Sequence, residues 1–219
     1  MPSLSDRFRA GRDVLLRDVI ASAPRRGTTL RILDLGGRGV YWQRLGLDFL
    51  RERSVVIDIL NLTETEHYAA EDGSDVFSYV VGDACALPYA DGSYDLCHAN
   101  SVIEHVGLWR DMERFAREVR RVAPSYYVQS PNFWFPVDPH FWRLPFQHWL
   151  PRPARARLMQ WLPLATAGRA RGLSEAYGFV DSSRMVSRAQ MRCLFPDAAL
   201  HAERVLLLAK SYTAVRKAG

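Results

Sequence analysis

A chain of 219 residues with 48% hydrophobic and 24% charged side chains is long enough for one domain with a full core and short for two, and its balance excludes a disordered protein. The formal net charge of +5 rests almost wholly on Arg, since Lys stands only at Lys210 and Lys217; an anionic substrate, nucleic acid or membrane surface is favoured, with no choice among them. No window approaches the ~20 apolar residues of a membrane span, and no apolar stretch follows the charged N-terminus, so the chain reads as cytoplasmic, with Cys85, Cys97 and Cys193 reduced and buried.

From Ser5 to about Ala21, Phe8, Leu15, Leu16, Val19 and Ile20 recur at helical spacing and Pro24 ends the run, predicting a leading helix within residues 1–29. Apolar runs at Leu30 to Leu35, Ser54 to Leu60, Phe77 to Val81, Tyr94 to Ala99 and Ser125 to Gln129 read as strands. Tyr41 to Arg51 and Asp111 to Val122 between them have helical periodicity, and such alternation implies a parallel sheet covered by helices on both faces. Ser187 to Leu194 reads as a further helix. Ala199 to Leu208 and Ser211 to Val215, joined around Ala209 and Lys210, read as a hairpin or as neighbouring edge strands. The expected fold is a single Rossmann-like, doubly wound α/β domain over residues 1–219. Its sheet has seven mostly parallel strands with an antiparallel strand at the C-terminal end, and an aromatic, Pro-rich lid is inserted at 130–175.

In such a sheet, ligands bind outside the carboxyl ends of the strands. The first strand runs through Asp34 into Gly36, Gly37 and Gly39, where the absence of Cβ atoms lets backbone approach a ligand. The second offers Asp58, 24 positions after Asp34, or Asn61; either side chain can accept from ribose hydroxyls. The third ends at Gly82-Asp83-Ala84, where a carboxylate can accept from an exocyclic amine.

Taken in order, Asp-Leu-Gly-Gly, the acid after the second strand, Gly-Asp-Ala, Leu87-Pro-Tyr-Ala-Asp-Gly-Ser-Tyr-Asp-Leu96 and Asn100-Ser-Val-Ile-Glu-His-Val106 resemble the class I S-adenosylmethionine-dependent methyltransferases. The likeness covers about Leu30 to Asn132 and the Phe195-Pro-Asp-Ala end. It implies S-adenosylmethionine as cofactor, with Asp34, Gly36 and Gly37 beneath its methionine part. Asp58 or Asn61 is then expected on the ribose, Asp83 and the Ala84 amide on adenine, and Asn100 at the methyl-donor pocket. Arg38 and Val40 stand where the family often has glycine, which leaves open whether Arg38 meets the cofactor carboxylate or solvent. A nicotinamide-dependent oxidoreductase is disfavoured because the third glycine of Gly-x-Gly-x-x-Gly falls at Trp42. A non-catalytic cofactor-binding module is a third reading.

For O-methylation a general base is useful, and His105, read as opening the helix after the fourth strand, is a candidate beside the alternative of mere packing. Relatives with a Glu-x-x-Glu-His pattern bind a metal; here Ser101 replaces the first ligand, so none is expected. In Ser130 to Pro153, prolines forbid regular structure over most of the length. Asp138 and His140 lie there among aromatic rings and need hydrogen-bond partners, which a substrate-facing mouth supplies and which makes His140 a second catalytic candidate. Between Pro139 and Ser174 there is no acid, while Arg143, Arg152, Arg155, Arg157, Arg169 and Arg171 alternate with Trp142, Trp149 and Trp161. The expectation is a peripheral contact with an anionic membrane through 139–174, presenting a small-molecule or lipid-linked acceptor, or else a solvated Arg face. Nucleic acid is a weaker partner, since no recognised motif accompanies the arginines.

Overall fold

The computed structural model describes residues 4–25, 27–64, 75–164 and 168–218, with side chains from Phe8 onward; residues 165–167 of the expected lid lie outside this set. Seven strands form one sheet in the order β3-β2-β1-β4-β5-β7-β6. The strands are β1 (Leu30–Leu35), β2 (Val55–Asn61), β3 (Phe77–Val81), β4 (Leu96–Asn100), β5 (Ser125–Pro131), β6 (Ala199–Val205) and β7 (Leu208–Arg216). β1 to β5 pair in parallel, whereas β7 runs antiparallel to both β5 and β6. The expected doubly wound sheet is present, and its strand order reverses between β1 and β4, the point at which such folds open a crevice.

Period-two alternation assigns the strand residues to two cores. Leu33, Leu35, Cys97, Ala99, Tyr126 and Val128 face α4 (Trp109–Val122) and α7 (Arg188–Leu194), where Phe115, Val119, Met191 and Leu194 are buried. Ile32, Ile57, Ile59, Leu96 and Tyr127 face α1 (Leu4–Ser22), α2 (Gly39–Leu45) and α3 (Leu47–Glu52) through Leu16, Ile20, Trp42, Leu45 and Leu50. The single helix expected over Tyr41 to Arg51 is broken in two at Gly46, whose φ of +112° ends α2 and precedes α3.

The hairpin turns at Leu206–Leu207 rather than near Ala209 and Lys210, because the carbonyls of those two residues accept from the side chain and backbone of Asn132 and stay in β7. Of the three cysteines only Cys97 is buried, and Cys193 is exposed. The insertion after β5 carries two helices, α5 (Arg152–Trp161) and α6 (Leu173–Asp181), which pack on one another. Phe141, Ala156, Met159, Ala176 and Val180 give it a small core of its own. Before Gln147 it has no helix or strand of its own, in keeping with its prolines; Asn132 bridges Val186 at the base of the insertion. Among the described residues, no helix is long and apolar enough to cross a membrane.

Candidate active site

A cavity of about 490 Å³ lies over the carboxyl ends of β1, β2, β3 and β4. Gly36, Gly37, Arg38, Asn61, Asp83, Ala84 and His105, all singled out in the sequence, line it together with Leu60, Leu62, Gly82, Cys85, Ser101, Val102 and Val106. Gly36 takes φ +65°, and a Cβ there would stand 2.8 Å from Val102 Cγ2; only glycine gives this turn without moving the wall. Asn61 donates from its amide nitrogen to Gly37 O at 3.2 Å, which ties the tip of β2 to the glycine turn. Asp83 Oδ1 accepts from Cys85 N at 2.8 Å. The Asn61 amide oxygen and the second Asp83 oxygen are then the acceptors this wall offers to hydroxyls and amines.

Asp34 is not among the lining residues. By strand alternation it falls on the α2 side of the sheet, in register with His98 on β4. Its two oxygens are taken by His98 Nδ1 and Trp42 Nε1, each at 2.6 Å, and all three side chains are buried. The carboxylate supports the glycine turn from beneath: a Cβ on Gly37 would lie 1.7 Å from Asp34 Oδ2. Asp58 is also away from the cavity, three residues and about 10 Å below the tip of β2. It accepts from Ser78 Oγ at 2.9 Å and Tyr94 OH at 2.8 Å. Of the two ribose candidates, only Asn61 is at the cavity. Asn100, at the end of β4, is not among the lining residues either; its buried Oδ1 has no hydrogen-bond partner among the described residues.

His105 does not open a helix. It closes a 3₁₀ turn, Ile103–His105, and α4 begins only at Trp109, because Gly107 at φ +118° intervenes. The result is an imidazole on the cavity wall whose Nδ1 lies 2.7 Å from Ser182 O. A carbonyl only accepts, so the proton sits on Nδ1 and Nε2 presents a lone pair. That Nε2 is 3.1 Å from His140 Nε2, and His140 Nδ1 is 2.8 Å from Asp138 Oδ1. Burial holds the His105 pKa below the usual imidazole value, with His140 adding to the shift and the Ser182 carbonyl opposing it. Asp138 is pushed up by burial, but the hydrogen bonds from His140 outweigh this and leave its pKa below the usual carboxylate value. The arrangement is a carboxylate, an imidazole it orients, and a second imidazole facing the cavity.

Glu104, next to His105, is 1% exposed. Its Oε2 accepts from Ser130 Oγ at 3.0 Å while Oε1 has no hydrogen-bond partner among the described residues, and burial raises its pKa to about 7. Glu104, His105 and His140 bring one donor atom each within 4.8 Å of one another, a carboxylate and two imidazoles of the kind that bind zinc. The sequence counted Ser101 as a missing ligand; the third donor instead comes from the insertion, which local spacing does not show.

Sequence reasoning missed the hydrophobic side walls of the cavity, Leu62, Val102 and Val106, and the half-buried thiol Cys85. Their common signal is position: each follows a strand tip by one to six residues.

A family model described as a methyltransferase domain matches residues 33–125. Over 57 residues the chain is 44% identical to ajmaline N-methyltransferase of Rauvolfia serpentina, covering 26% of this chain and 19% of that protein. Over 101 residues it is 35% identical to malonyl-(acyl-carrier protein) O-methyltransferase of Erwinia pyrifoliae, covering 45% of this chain and 35% of that one. The chain thus spans about a fifth and about a third of the lengths of these two curated relatives. Among solved structures, a SAM-dependent methyltransferase of Aquifex aeolicus superposes with a TM-score of 0.52 at 14% identity over 93% of this chain and 87% of its own. The YcgJ protein of Bacillus subtilis superposes with 0.52 at 17% identity over 89% and 71%. At these identities the structural likeness is one of fold.

Proposed function

We propose that this chain is a class I S-adenosylmethionine-dependent methyltransferase, a reading supported by the methyltransferase-domain match at residues 33–125 and by the sheet, and that it methylates a hydroxyl of a small or lipid-linked acceptor held beneath the insertion. The single observation that carries this reading is the imidazole pair at the wall of the glycine-floored cavity. S-adenosylmethionine would supply a methyl carbon bonded to a sulfonium, whose S–CH3 bond breaks to leave the neutral thioether S-adenosylhomocysteine as the acceptor oxygen bonds to that carbon. Gly36 and Gly37 provide a floor without side chains, Asn61 and Asp83 provide acceptors for ribose and adenine, and Ala84 provides a backbone amide at the rim.

His105 and His140 supply a place for the proton. With Nδ1–H of His105 on Ser182 O and Nδ1–H of His140 on Asp138, the two Nε2 lone pairs face each other at 3.1 Å and lack one proton between them. An acceptor hydroxyl set against this gap gives up its proton to the pair as its oxygen takes the methyl carbon, and Asp138 balances the resulting charge. A hydroxyl, whose proton has to leave as its oxygen bonds to carbon, is an acceptor that such a sink serves.

The acceptor side is read from the surface of the insertion. Trp142 is 64% exposed and Trp161 77%; Phe146, Trp149 and Leu162 of the same insertion are exposed as well, and the exposed Arg143, Arg157 and Arg169 are interspersed with them along the chain. Such a surface suits contact with an anionic membrane carrying a lipid-linked acceptor.

The test is methyl transfer from labelled donor into fractionated bacterial membrane and soluble extracts. Label recovered as a methyl ether is expected; recovery solely as methyl ester or methylamine products, or no transfer into any fraction, contradicts the proposal.

A further inference from the structure

A second cavity, of about 350 Å³, is lined by residues of α5 and α6 and of the starts of α4 and α7, and it reaches the imidazole pair through the groups that hold it. Asp138, which orients His140, is on its wall, and Ser183 is adjacent to the carbonyl that holds His105. Among the described residues, three buried polar atoms of its lining have no hydrogen-bond partner: Arg155 Nε, Ser183 Oγ and His148 Nδ1. Ser183 and His148 are each only 5% exposed. Leaving such groups unpaired costs on the order of 1–3 kcal/mol each, so this is a site built for a partner.

The charge of the wall says which partner. Arg152 and Arg184 both turn to Asp181: Arg152 Nε donates to Oδ1 at 2.9 Å with a second bond from Nη2 to Oδ2, and Arg184 Nη2 lies 3.7 Å away. Asp138 accepts from His140 and from Gln147 Nε2 at 3.2 Å. Arg155 has no carboxylate at ion-pair distance among the described residues, so three guanidiniums face two carboxylates and the surplus charge is on Arg155. His148 Nε2 donates to Phe133 O at 2.9 Å, which leaves Nδ1 to receive a hydroxyl proton or, once protonated, to donate.

We infer that this cavity is an oxyanion subsite, in which Arg155 and Ser183 bind a phosphate or carboxylate group of the methyl acceptor and hold its hydroxyl toward His105 and His140. A guanidinium edge with a neighbouring hydroxyl donor matches either oxyanion. The assignment of that anion to the methyl acceptor rests on the methyltransferase reading; the subsite itself rests on the unpaired donors.

The two are separated by calorimetric titration of the full chain with inorganic phosphate, with glutarate and with phosphatidic acid vesicles, each beside a titration with S-adenosylhomocysteine. Binding of at least one oxyanion probe is expected below about 20 mM. It should weaken about tenfold or more in Arg155→Met and severalfold in Ser183→Ala, with S-adenosylhomocysteine affinity unchanged in both. Phosphate, glutarate or vesicles binding best identifies a phosphate, a carboxylate or a lipid headgroup as the source. No binding of any probe by the parent chain, or equal binding by the parent and both variants, overturns the subsite. Oxyanion binding without S-adenosylhomocysteine binding leaves the subsite standing and removes the methyltransferase reading.

Discussion

Glu104 carries the clearest consequence at the scale of a single residue. Its carboxyl group, near 4.5 in an unfolded chain and about 7 here, keeps a proton that the unfolded chain gives up in between. The stability tied to that proton is therefore complete below about pH 4.5 and is lost as pH rises through about 7. Unfolding by denaturant should show the parent losing on the order of 3 kcal/mol between about pH 5 and pH 8 relative to Glu104→Gln; a constant difference across that range contradicts the assignment. At His105, substitution by Gln should lower kcat by about 10²-fold or more and flatten the acid limb of the pH profile, with S-adenosylhomocysteine affinity retained. Because Zn²⁺ would take the same Nε2 atoms that receive the proton, the account expects EDTA to leave activity intact and added Zn²⁺ to inhibit; loss of activity with EDTA contradicts it. Residue identities at the cavity were legible wherever strand ends and glycines are involved, as with Gly36, Gly37, Asp83 and Ala84. The choice of Asn61 over Asp58 was not, because it depends on a strand end that runs one residue past the apolar run, and on the bonds that hold Asp58 to Ser78 and Tyr94.

At the scale of elements, the turn after β1 and the row of residues beneath it form one unit. Asp34, His98 and Tyr127 sit in register on β1, β4 and β5, the His98 and Tyr127 rings stack at 5.3 Å, and Trp42 of α2 closes on Asp34. Gly37→Ala forces its Cβ into the Asp34 carboxylate, so a loss of about 2–4 kcal/mol in stability is expected by denaturant unfolding; an effect below about 0.5 kcal/mol would mean that the turn is not packed as described. The pattern Asp-Leu-Gly-Gly announced a turn but not which way the acid faces, since that follows from the pairing of Asp34 with His98 across 64 residues of sequence. Helix α4 was readable from Met112, Phe115, Ala116 and Val119 at helical spacing. Its true start was hidden because a glycine at positive φ and a 3₁₀ turn leave no periodic signal. The insertion was legible as Pro-rich and aromatic, yet the path by which α5, α6 and the segment around Asp138 bring Arg155, Ser183 and His140 together is a tertiary property that no local spacing encodes.

At the scale of the molecule, His105 lines the cavity at the strand tips and Asp138, which holds His140, lines the Arg-rich cavity, while the insertion leaves Trp142 and Trp161 exposed. Sedimentation with vesicles containing anionic lipid should therefore capture the chain at low salt, and Trp142→Ala with Trp161→Ala should reduce capture severalfold; equal recovery with neutral vesicles, or no effect of the double substitution, contradicts a membrane-facing role. The parallel sheet and its antiparallel end followed from the alternation of apolar runs and helical stretches, because that pattern admits few topologies. The central claim concerns the cavity at the strand tips, and calorimetric titration with S-adenosylhomocysteine tests it most directly. One site per chain is expected, with affinity about tenfold or more weaker in Asn61→Ala and in Asp83→Ala and within about twofold of the parent in Asp58→Ala. The account is contradicted by the absence of saturable heat in the parent chain, or by Asp58→Ala weakening binding as much as Asn61→Ala.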